Sequence, residues 1–325
     1  MQAVVFRNPG DPSVLELADV PQPEPGPQEL LVRNFATALN RADLLQRRGL
    51  YPPPHGASDI LGLEFAGEVA EVGTSVGGFT RGDRVFGLVA GGAYAEFLTV
   101  DHRLAVPIPD NLSFDAAAAV PEAFLVANDA MFDLGRLQRG DSVLVHAAAS
   151  GVGTAVLQLA KARDIRAVAT AGTPKKIARC LELGAVRAVH YRDEDFVAAA
   201  REATEGAGVH AVIDLVGASH FERNLRSLRT LGRLVVVGLV GGHKVEADLG
   251  VLLRKRLTVI GTVLRGRSLE EKIAVTGSFV QNVLPLLQDG TVQPVVDCVF
   301  PLEDVRQAHE RMEANLNTGK IILRM

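Results

Sequence analysis

The chain has 325 residues with a formal charge of -4, 47% hydrophobic and 22% charged side chains, which is the make-up of an ordinary globular protein and favours two domains or one with a large insertion. No apolar run is long enough to span a bilayer, the net acidity offers nucleic acid no general attraction, and two cysteines, Cys180 and Cys298, exclude a disulfide scaffold and a four-thiolate zinc site. Residues 1–6 lack a secretory signal, so the expected location is cytoplasmic.

The first third is broken repeatedly by Pro21, Pro23, Pro25, Gly26 and Pro27, then by Pro52, Pro53 and Pro54. Such density stops helices and keeps strands short. Strand-like runs at 30–34, 66–72 and 94–100 are separated by turn signals at Gly82-Asp83 and Gly91-Gly92, so this part reads as mainly β and barrel-like. From Ser142 the texture changes to β-branched runs alternating with helical periods, the pattern of a buried parallel sheet. Six strands are predicted at 143–146, 167–171, 188–191, 211–216, 234–238 and 258–261, the number that a doubly wound Rossmann sheet requires. Arg254-Lys255-Arg256 reads as a solvated helix end. A helical stretch over 269–287 then leads to 293–300, a helix containing 305–312 and a last strand at 320–323, and the texture of this tail predicts a return to the N-terminal domain.

Strand 143–146 runs into Ala147-Ala148-Ala149-Ser150-Gly151-Val152-Gly153, and 154–163 then places Val156, Leu159 and Ala160 on one helical face. Strand, tight turn and helix is the form of a dinucleotide site, because a pyrophosphate reaches helix N-terminal amides only where side chains stay small. Ser150, Gly151, Val152 and Gly153 are the candidates. The spelling departs from Gly-x-Gly-x-x-Gly at Ala148 and Ser150, and a glycine-rich turn of another α/β protein is the alternative that six strands in register argue against. Twenty residues on, an NAD site would offer a carboxylate to the ribose. Here Gly172, Thr173, Lys175 and Lys176 stand instead, and a hydroxyl and two ammonium groups suit a 2′-phosphate. NADPH is therefore the predicted cofactor, with a solvated first helical turn as the other reading of the lysines.

Several motifs now combine: Ala38-Leu39-Asn40-Arg41-Ala42-Asp43, Leu61-Gly62-Leu63-Glu64-Phe65-Ala66-Gly67, Gly82-Asp83-Arg84-Val85, Ser150-Gly151-Val152-Gly153-Thr154-Ala155, Gln158-Leu159-Ala160-Lys161 and Asn317-Thr318-Gly319-Lys320. On these the chain resembles, end to end, the medium-chain dehydrogenase/reductase superfamily and its zinc-independent quinone oxidoreductases of zeta-crystallin type. The resemblance implies an α/β protein with a GroES-like β-barrel domain, residues 1–123 and 266–325, and a Rossmann domain, residues 124–265. Zinc enzymes of the superfamily carry Cys where Asn40 stands and Gly-His-Glu where Gly62-Leu63-Glu64 stands. Both ligand positions are lost, so no zinc is expected.

Without a Lewis acid, a substrate that is already electrophilic, a quinone or similar enone, needs orientation against the nicotinamide and a donor at its developing oxyanion. Asn40 and Tyr51 are the candidates for that donor or for holding the nicotinamide ribose, against a turn-forming Asn and a half-buried Tyr. The resemblance further assigns Val216, Gly217, Gly238, Leu239 and Val240 to cofactor contacts at strand ends, and Tyr191 to the neighbourhood of the 2′-phosphate or adenine. It brings Leu264, Arg265, Asn317 and Lys320 towards the nicotinamide end, with a solvent-exposed structural role as the alternative for Arg265 and Lys320. Val126-Ala127 departs from the family's Thr-Ala and removes a hydroxyl partner for the carboxamide. Glu64 and Asp43 read as an acid/base pair or as loop hydrogen bonding, and the histidines, lacking ligand spacing, as structural or solvent-facing. A homodimer through Rossmann edge strands is implied, with 257–264 as the candidate edge. Reduction of an enoyl thioester or alkenal double bond, and an AU-rich RNA-binding or crystallin-like structural role, are the alternative functions.

Overall fold

The computed structural model describes residues 1–325, which cluster into two units: Met1–Glu122 with Arg265–Val280 and Pro294–Met325, and Ala123–Leu264 with Gln281–Gln293. The proline-broken first third forms β1 (Gln2–Val5) and β2 (Glu16–Asp19), an antiparallel pair, followed by β3 (Glu29–Ala38), β4 (Glu64–Val72), β5 (Arg84–Leu88), β6 (Phe97–Asp101) and β7 (Ala105–Pro107). Helix α1 (Arg41–Arg47) leaves the end of β3, and α2 (Phe114–Ala118) and α3 (Pro121–Asn128) follow β7. Ten-residue β3 is the organiser, pairing β4 along one side and β6 along the other through its first half. Its inward Leu30 and Val32 pack with Phe65, Val69, Val85 and Leu98, burial that supplies about 1.5–3 kcal/mol per large side chain.

The second unit carries β8 (Ser142–Val145), β9 (Arg166–Ala171), β10 (Ala185–His190), β11 (Val209–Asp214), β12 (Leu228–Val236) and β13 (Thr258–Gly261). All five pairings are parallel, in the order β10-β9-β8-β11-β12-β13, so the strand order reverses between β8 and β11. In an open α/β sheet that reversal is where a ligand crevice forms. Helices α4 (Gly151–Ala162), α5 (Pro174–Glu182), α6 (Phe196–Glu202), α7 (Phe221–Ser227) and α8 (Leu249–Lys255) make the connections. Every residue of β8 is buried, as a strand covered on both faces must be.

Beyond β13 come α9 (Leu269–Asn282) and α10 (Leu284–Gln288), then β14 (Val296–Pro301), α11 (Val305–Glu313) and β15 (Lys320–Arg324). Strand β15 enters the first unit's sheet between β14, to which it is parallel, and the second half of β3, to which it is antiparallel.

Several expectations change in detail. The single helix over 269–287 is two, because Pro285 lacks an N–H and starts a new first turn. Strand β11 stops at Asp214 rather than at 216, since the Asp214 carboxylate accepts the amides of Val216 and Gly217 and turns the chain. Segment 281–293 clusters with the second unit, not the first: Gln293 and Gln158 exchange two hydrogen bonds, and Arg163 donates to Asn282 O at 2.8 Å. At the basic cluster, Lys255 is not merely solvated, for its ammonium donates to the carbonyls of Leu225, Arg226 and Leu228.

Candidate functional site

In the second unit the glycine turn joins β8 to α4. Ser150 is the N-cap of α4, and its Oγ accepts the amide of Gly153 at 3.2 Å. The amides of Gly151 and Val152, both half-buried, are left without a partner and open to an anion at the positive end of the helix. Gly153 has a different task, because a Cβ there would lie 2.5 Å from Ala148 Cα and 2.6 Å from Ala147 O. It lets α4 lie close against the turn.

At the C-terminal end of β9, Thr173 caps α5 and accepts the amide of Lys176 at 3.3 Å, so its hydroxyl proton stays available. Tyr191 stands beside Gly172 so closely that a Cβ on Gly172 would come within 3.0 Å of its ring. The exposed Arg192 guanidinium lies 5.6 Å from the same ring centre. Nearby carboxylates are engaged with other groups: Asp193 pairs with His190, and Glu194 accepts from Arg187 and the His190 amide. Gly172, Thr173 and Tyr191 thus come together, with Lys176 on the first turn of α5, and Arg192 joins them although sequence reasoning passed over it.

The loops after β11 and β12 are laced to one another. Gly241 N donates to Val216 O at 2.7 Å and Ala218 N to Gly242 O at 3.0 Å, while Gly217 has φ +88° and Gly238 sits where a Cβ would meet Leu215 O at 2.7 Å. Leu239 and Val240 are exposed at the tip. Beneath them His146 bridges Thr170 Oγ1 and Asn224 Oδ1, and Asn224 donates to Asp214, which holds Val216 and Gly217. Burial pushes His146 down to about 3, so it serves as a neutral strut. Leu264, buried, closes this unit's part of the chain.

In the first unit the chemistry lies in side chains. Lys320 at the start of β15 is buried, and its ammonium donates to Leu39 O at 2.8 Å, Asn40 Oδ1 at 2.6 Å and Glu64 Oε1 at 2.8 Å. Asn40 donates through Nδ2 to Glu64 Oε1 at 2.7 Å and to Ala38 O at 3.3 Å. Both amide protons are therefore committed, and of the two expected donors Tyr51 is the one whose hydroxyl has no partner. Tyr51 is half-buried beneath the Arg265 guanidinium, 5.2 Å from the ring centre, and burial raises its pKa. Arg265 donates to Ala90 O, Tyr51 O and Gln46 Oε1. The solvent-exposed reading of Arg265 and Lys320 is overturned: each is about 5–6% exposed, because distant segments supply its partners. Asn317 donates through Nδ2 to Gly319 O at 2.8 Å across the turn into β15.

Asp43 and Glu64 do not bond to each other. Asp43 accepts the amides of Asn40 and Gly62 and the Tyr94 hydroxyl, and burial raises it to about 6. Behind it, Arg47 Nη1 donates to His309 Nδ1 at 3.1 Å. A guanidinium only donates, so Nδ1 carries the lone pair and the ring proton sits on Nε2, facing Tyr94 Oη at 3.3 Å. The Tyr94 proton is thereby directed to Asp43 Oδ2, also 3.3 Å away. Burial holds His309 down at about 3, in keeping with a neutral ring. This buried chain from Arg47 to Asn40 carried no local sequence signal.

No group of three His, Cys, Asp or Glu side chains stands together, and the place between Asn40 and Glu64 is taken by the Lys320 ammonium, which repels a cation.

Residues 26–110 match the family described as alcohol dehydrogenase GroES-like domain, and residues 151–299 that described as zinc-binding dehydrogenase. Together the matches define a two-domain dehydrogenase/reductase. The chain is 33% identical over 323 residues to a quinone oxidoreductase of Pseudomonas aeruginosa, covering 98% of each chain. Among solved structures it matches an Escherichia coli quinone oxidoreductase complexed with NADPH at 32% identity and a TM-score of 0.88, with 100% of each chain covered. It also matches an NAD-dependent alcohol dehydrogenase at 33% identity and a TM-score of 0.90, again over 100% of each chain. The chain belongs to the medium-chain dehydrogenase/reductase superfamily, in its quinone oxidoreductase-type branch.

Proposed function

We propose that this chain is a zinc-independent oxidoreductase that uses NADPH to reduce a quinone or a similarly activated enone. The observation that carries this reading is the Lys320 ammonium bonded to both Asn40 and Glu64, where a carbonyl-polarising metal would need anionic or neutral donors. With no Lewis acid to activate it, the substrate must arrive electrophilic. NADPH supplies the hydride when bound. The open amides of Gly151 and Val152 receive its pyrophosphate, and Thr173, Lys176, Tyr191 and Arg192 receive its 2′-phosphate at a strand end free of competing carboxylates. The loops at Val216-Gly217 and Gly238-Leu239-Val240 line the strand reversal, and Leu264, Arg265, Asn317 and Lys320 belong to the nicotinamide side. Tyr51 donates to the substrate oxygen, while Asn40 holds Lys320 and Glu64 in place.

An acceptor screen with ortho-quinones, para-quinones, enones and a 2-enoyl thioester, each with NADPH and NADH, tests the proposal. Quinone- or enone-dependent oxidation of NADPH is expected. Oxidation no faster with these acceptors than without them overturns it, and equal kcat/KM for NADH removes the 2′-phosphate reading.

The same reading includes a homodimer. Strand β13 is an edge strand with Val259 39% exposed, and Leu249 and Leu253 of α8 are 70% and 78% exposed. Bare edges of this kind invite pairing. Light scattering is expected to give twice the monomer mass, and a monomer at micromolar concentration refutes the pairing.

A further inference from the structure

At the end of β10 the chain runs His190-Tyr191-Arg192-Asp193-Glu194-Asp195, so three carboxylates follow directly on residues proposed above for the 2′-phosphate. An acidic run repels a phosphate dianion, yet each carboxylate here is met by a cationic side chain. His190 Nδ1 lies 2.6 Å from Asp193 Oδ2, Arg187 2.7 Å from Glu194 and Arg223 2.9 Å from Asp195. Two of the three partners are guanidiniums, which keep their charge in proteins, whereas an imidazole changes charge between about pH 5 and about pH 8. Asp193 is therefore the one carboxylate of the run whose partner can let go.

The His190 ring is fixed on both sides. Its Nε2 lies 3.0 Å from Gly172 O, and because a carbonyl only accepts, Nε2 carries a proton. The ring is stacked on Tyr191, with centres 6.2 Å apart and planes 19° from parallel. Nδ1 is buried, and Asp193 approaches it without the alignment of a hydrogen bond, so charge holds the contact. A neutral ring, with its proton on Nε2, would turn the Nδ1 lone pair on a carboxylate oxygen. Only the imidazolium makes that contact attractive. The other charges around the ring are Glu194, whose Oε1 accepts the His190 amide at 2.8 Å, Arg192 against the Tyr191 ring, and Lys176 on α5, the helix packed on β10. Strand β9 brings no charge at this end, and α6 begins beyond the paired Asp195.

We propose that the proton on His190 sets the preference for a 2′-phosphorylated nucleotide. The inference rests on the NADPH reading above. Protonated, His190 neutralises Asp193 and leaves the 2′-phosphate facing Thr173, Lys176 and Arg192. Deprotonated, it frees Asp193 to repel that phosphate, while NADH, which lacks the group, does not feel the change. Binding of NADPH to the neutral form therefore draws one proton from solvent onto Nδ1, and binding of NADH draws none. His190 acts through Asp193 and the Gly172 carbonyl rather than by touching the nucleotide, which makes it a positioning residue.

Dissociation constants of NADPH and NADH for the full chain, measured by calorimetry between about pH 5 and about pH 8, test this. In the wild type the preference for NADPH is expected to fall with rising pH by about fivefold more than in Asp193→Asn, which has no carboxylate to release. Asp193 is 76% exposed, so that variant leaves the core untouched. His190→Asn still offers a donor to Gly172 O but leaves Asp193 unpaired, and is expected to show the weaker preference at every pH. The 2′-phosphate itself titrates near about pH 6, equally for all three proteins, so the differences between them isolate His190. The same pH dependence in Asp193→Asn as in the wild type overturns the proposal. Nitrogen NMR of the wild type without nucleotide is expected to show both His190 nitrogens protonated at the acid end of the range, and a neutral ring there overturns it too. If the wild type binds NADH as tightly as NADPH at every pH, the NADPH reading has failed and the preference with it, while a doubly protonated His190 stands as a separate fact. Should His190→Asn not fold, Asp193→Asn decides alone.

Discussion

The second unit presents its candidate cofactor groups mostly as main chain: open amides at Gly151 and Val152, laced loops at Val216 and Gly241, and glycines where any Cβ would collide. The first unit presents its chemistry as buried side chains: Asn40, Glu64 and Lys320 bonded to one another with Lys320 and Glu64 an ion pair, and Asp43 and Arg265 held by hydrogen bonds to neutral groups. The contrast teaches that the two should fail differently. Substitution in the second unit displaces backbone and weakens nucleotide binding, whereas substitution in the first strands a buried charge.

The sharpest break is Lys320→Met, which leaves Glu64, 0% exposed, without its cation. A loss of about 3–5 kcal/mol in denaturant unfolding is expected, and adding Glu64→Gln should recover at least half of it. If the double variant is as unstable as the single, the charge account of the first unit is wrong. A second effect is common to both units, since each holds one buried histidine at about 3: His309 in the first, His146 in the second. Their ordinary value is about 6.5. Between about 6.5 and about 3 the unfolded chain takes up a proton that the folded chain refuses, so stability is full above pH 6.5 and falls as pH drops towards 3, by on the order of 4 kcal/mol per histidine. Asp43, raised to about 6, works in the opposite sense and gains stability over part of that range. Thermal unfolding followed against pH should show the net acid loss, and His309→Gln should flatten its share.

Gly153→Ala sharpens the backbone side. Its Cβ meets Ala148 and Ala147, so α4 must shift, which is expected to lower stability by about 1–3 kcal/mol and to weaken NADPH binding in calorimetry. Unchanged binding would separate the turn from the cofactor. The mildest is Lys176→Glu, expected to raise the KM for NADPH about tenfold, about 1.4 kcal/mol, and that for NADH much less. Equal effects on both would detach Lys176 from the 2′-phosphate.

What the sequence made legible follows the same line. Six strands and the turn at Ser150 could be read because strand, cap and helix lie within a short local stretch, and a glycine requirement shows in the residue type itself. The cluster on Asn40 could not be assembled that way. Lys320 lies 280 positions from Asn40, and Arg47 lies 262 from His309, so no periodicity connects them. Charged residues also read as exposed by default, which is why burial of Arg265 and Lys320 went unseen. Asn40 was found through its motif, but not that both its amide protons were already used. The break at Pro285 was the reverse case, a local signal that was present and overlooked.

The position of β15 has a consequence for how the protein is made. It sits between β14 and β3, yet its residues 320–324 are added to the chain after every other strand. During synthesis, at about 5–20 residues per second, most of the second unit, Ala123–Leu264, has been completed before Lys320 is added. Until then β3 has β4 on one side but no partner on the other side of its second half, and Glu64 waits without an ammonium. A nascent or C-terminally shortened chain would carry the strands of the parallel sheet but not the cluster of Asn40, Glu64 and Lys320. The cluster of Asn40, Glu64 and Lys320 can close only once β15 has been made.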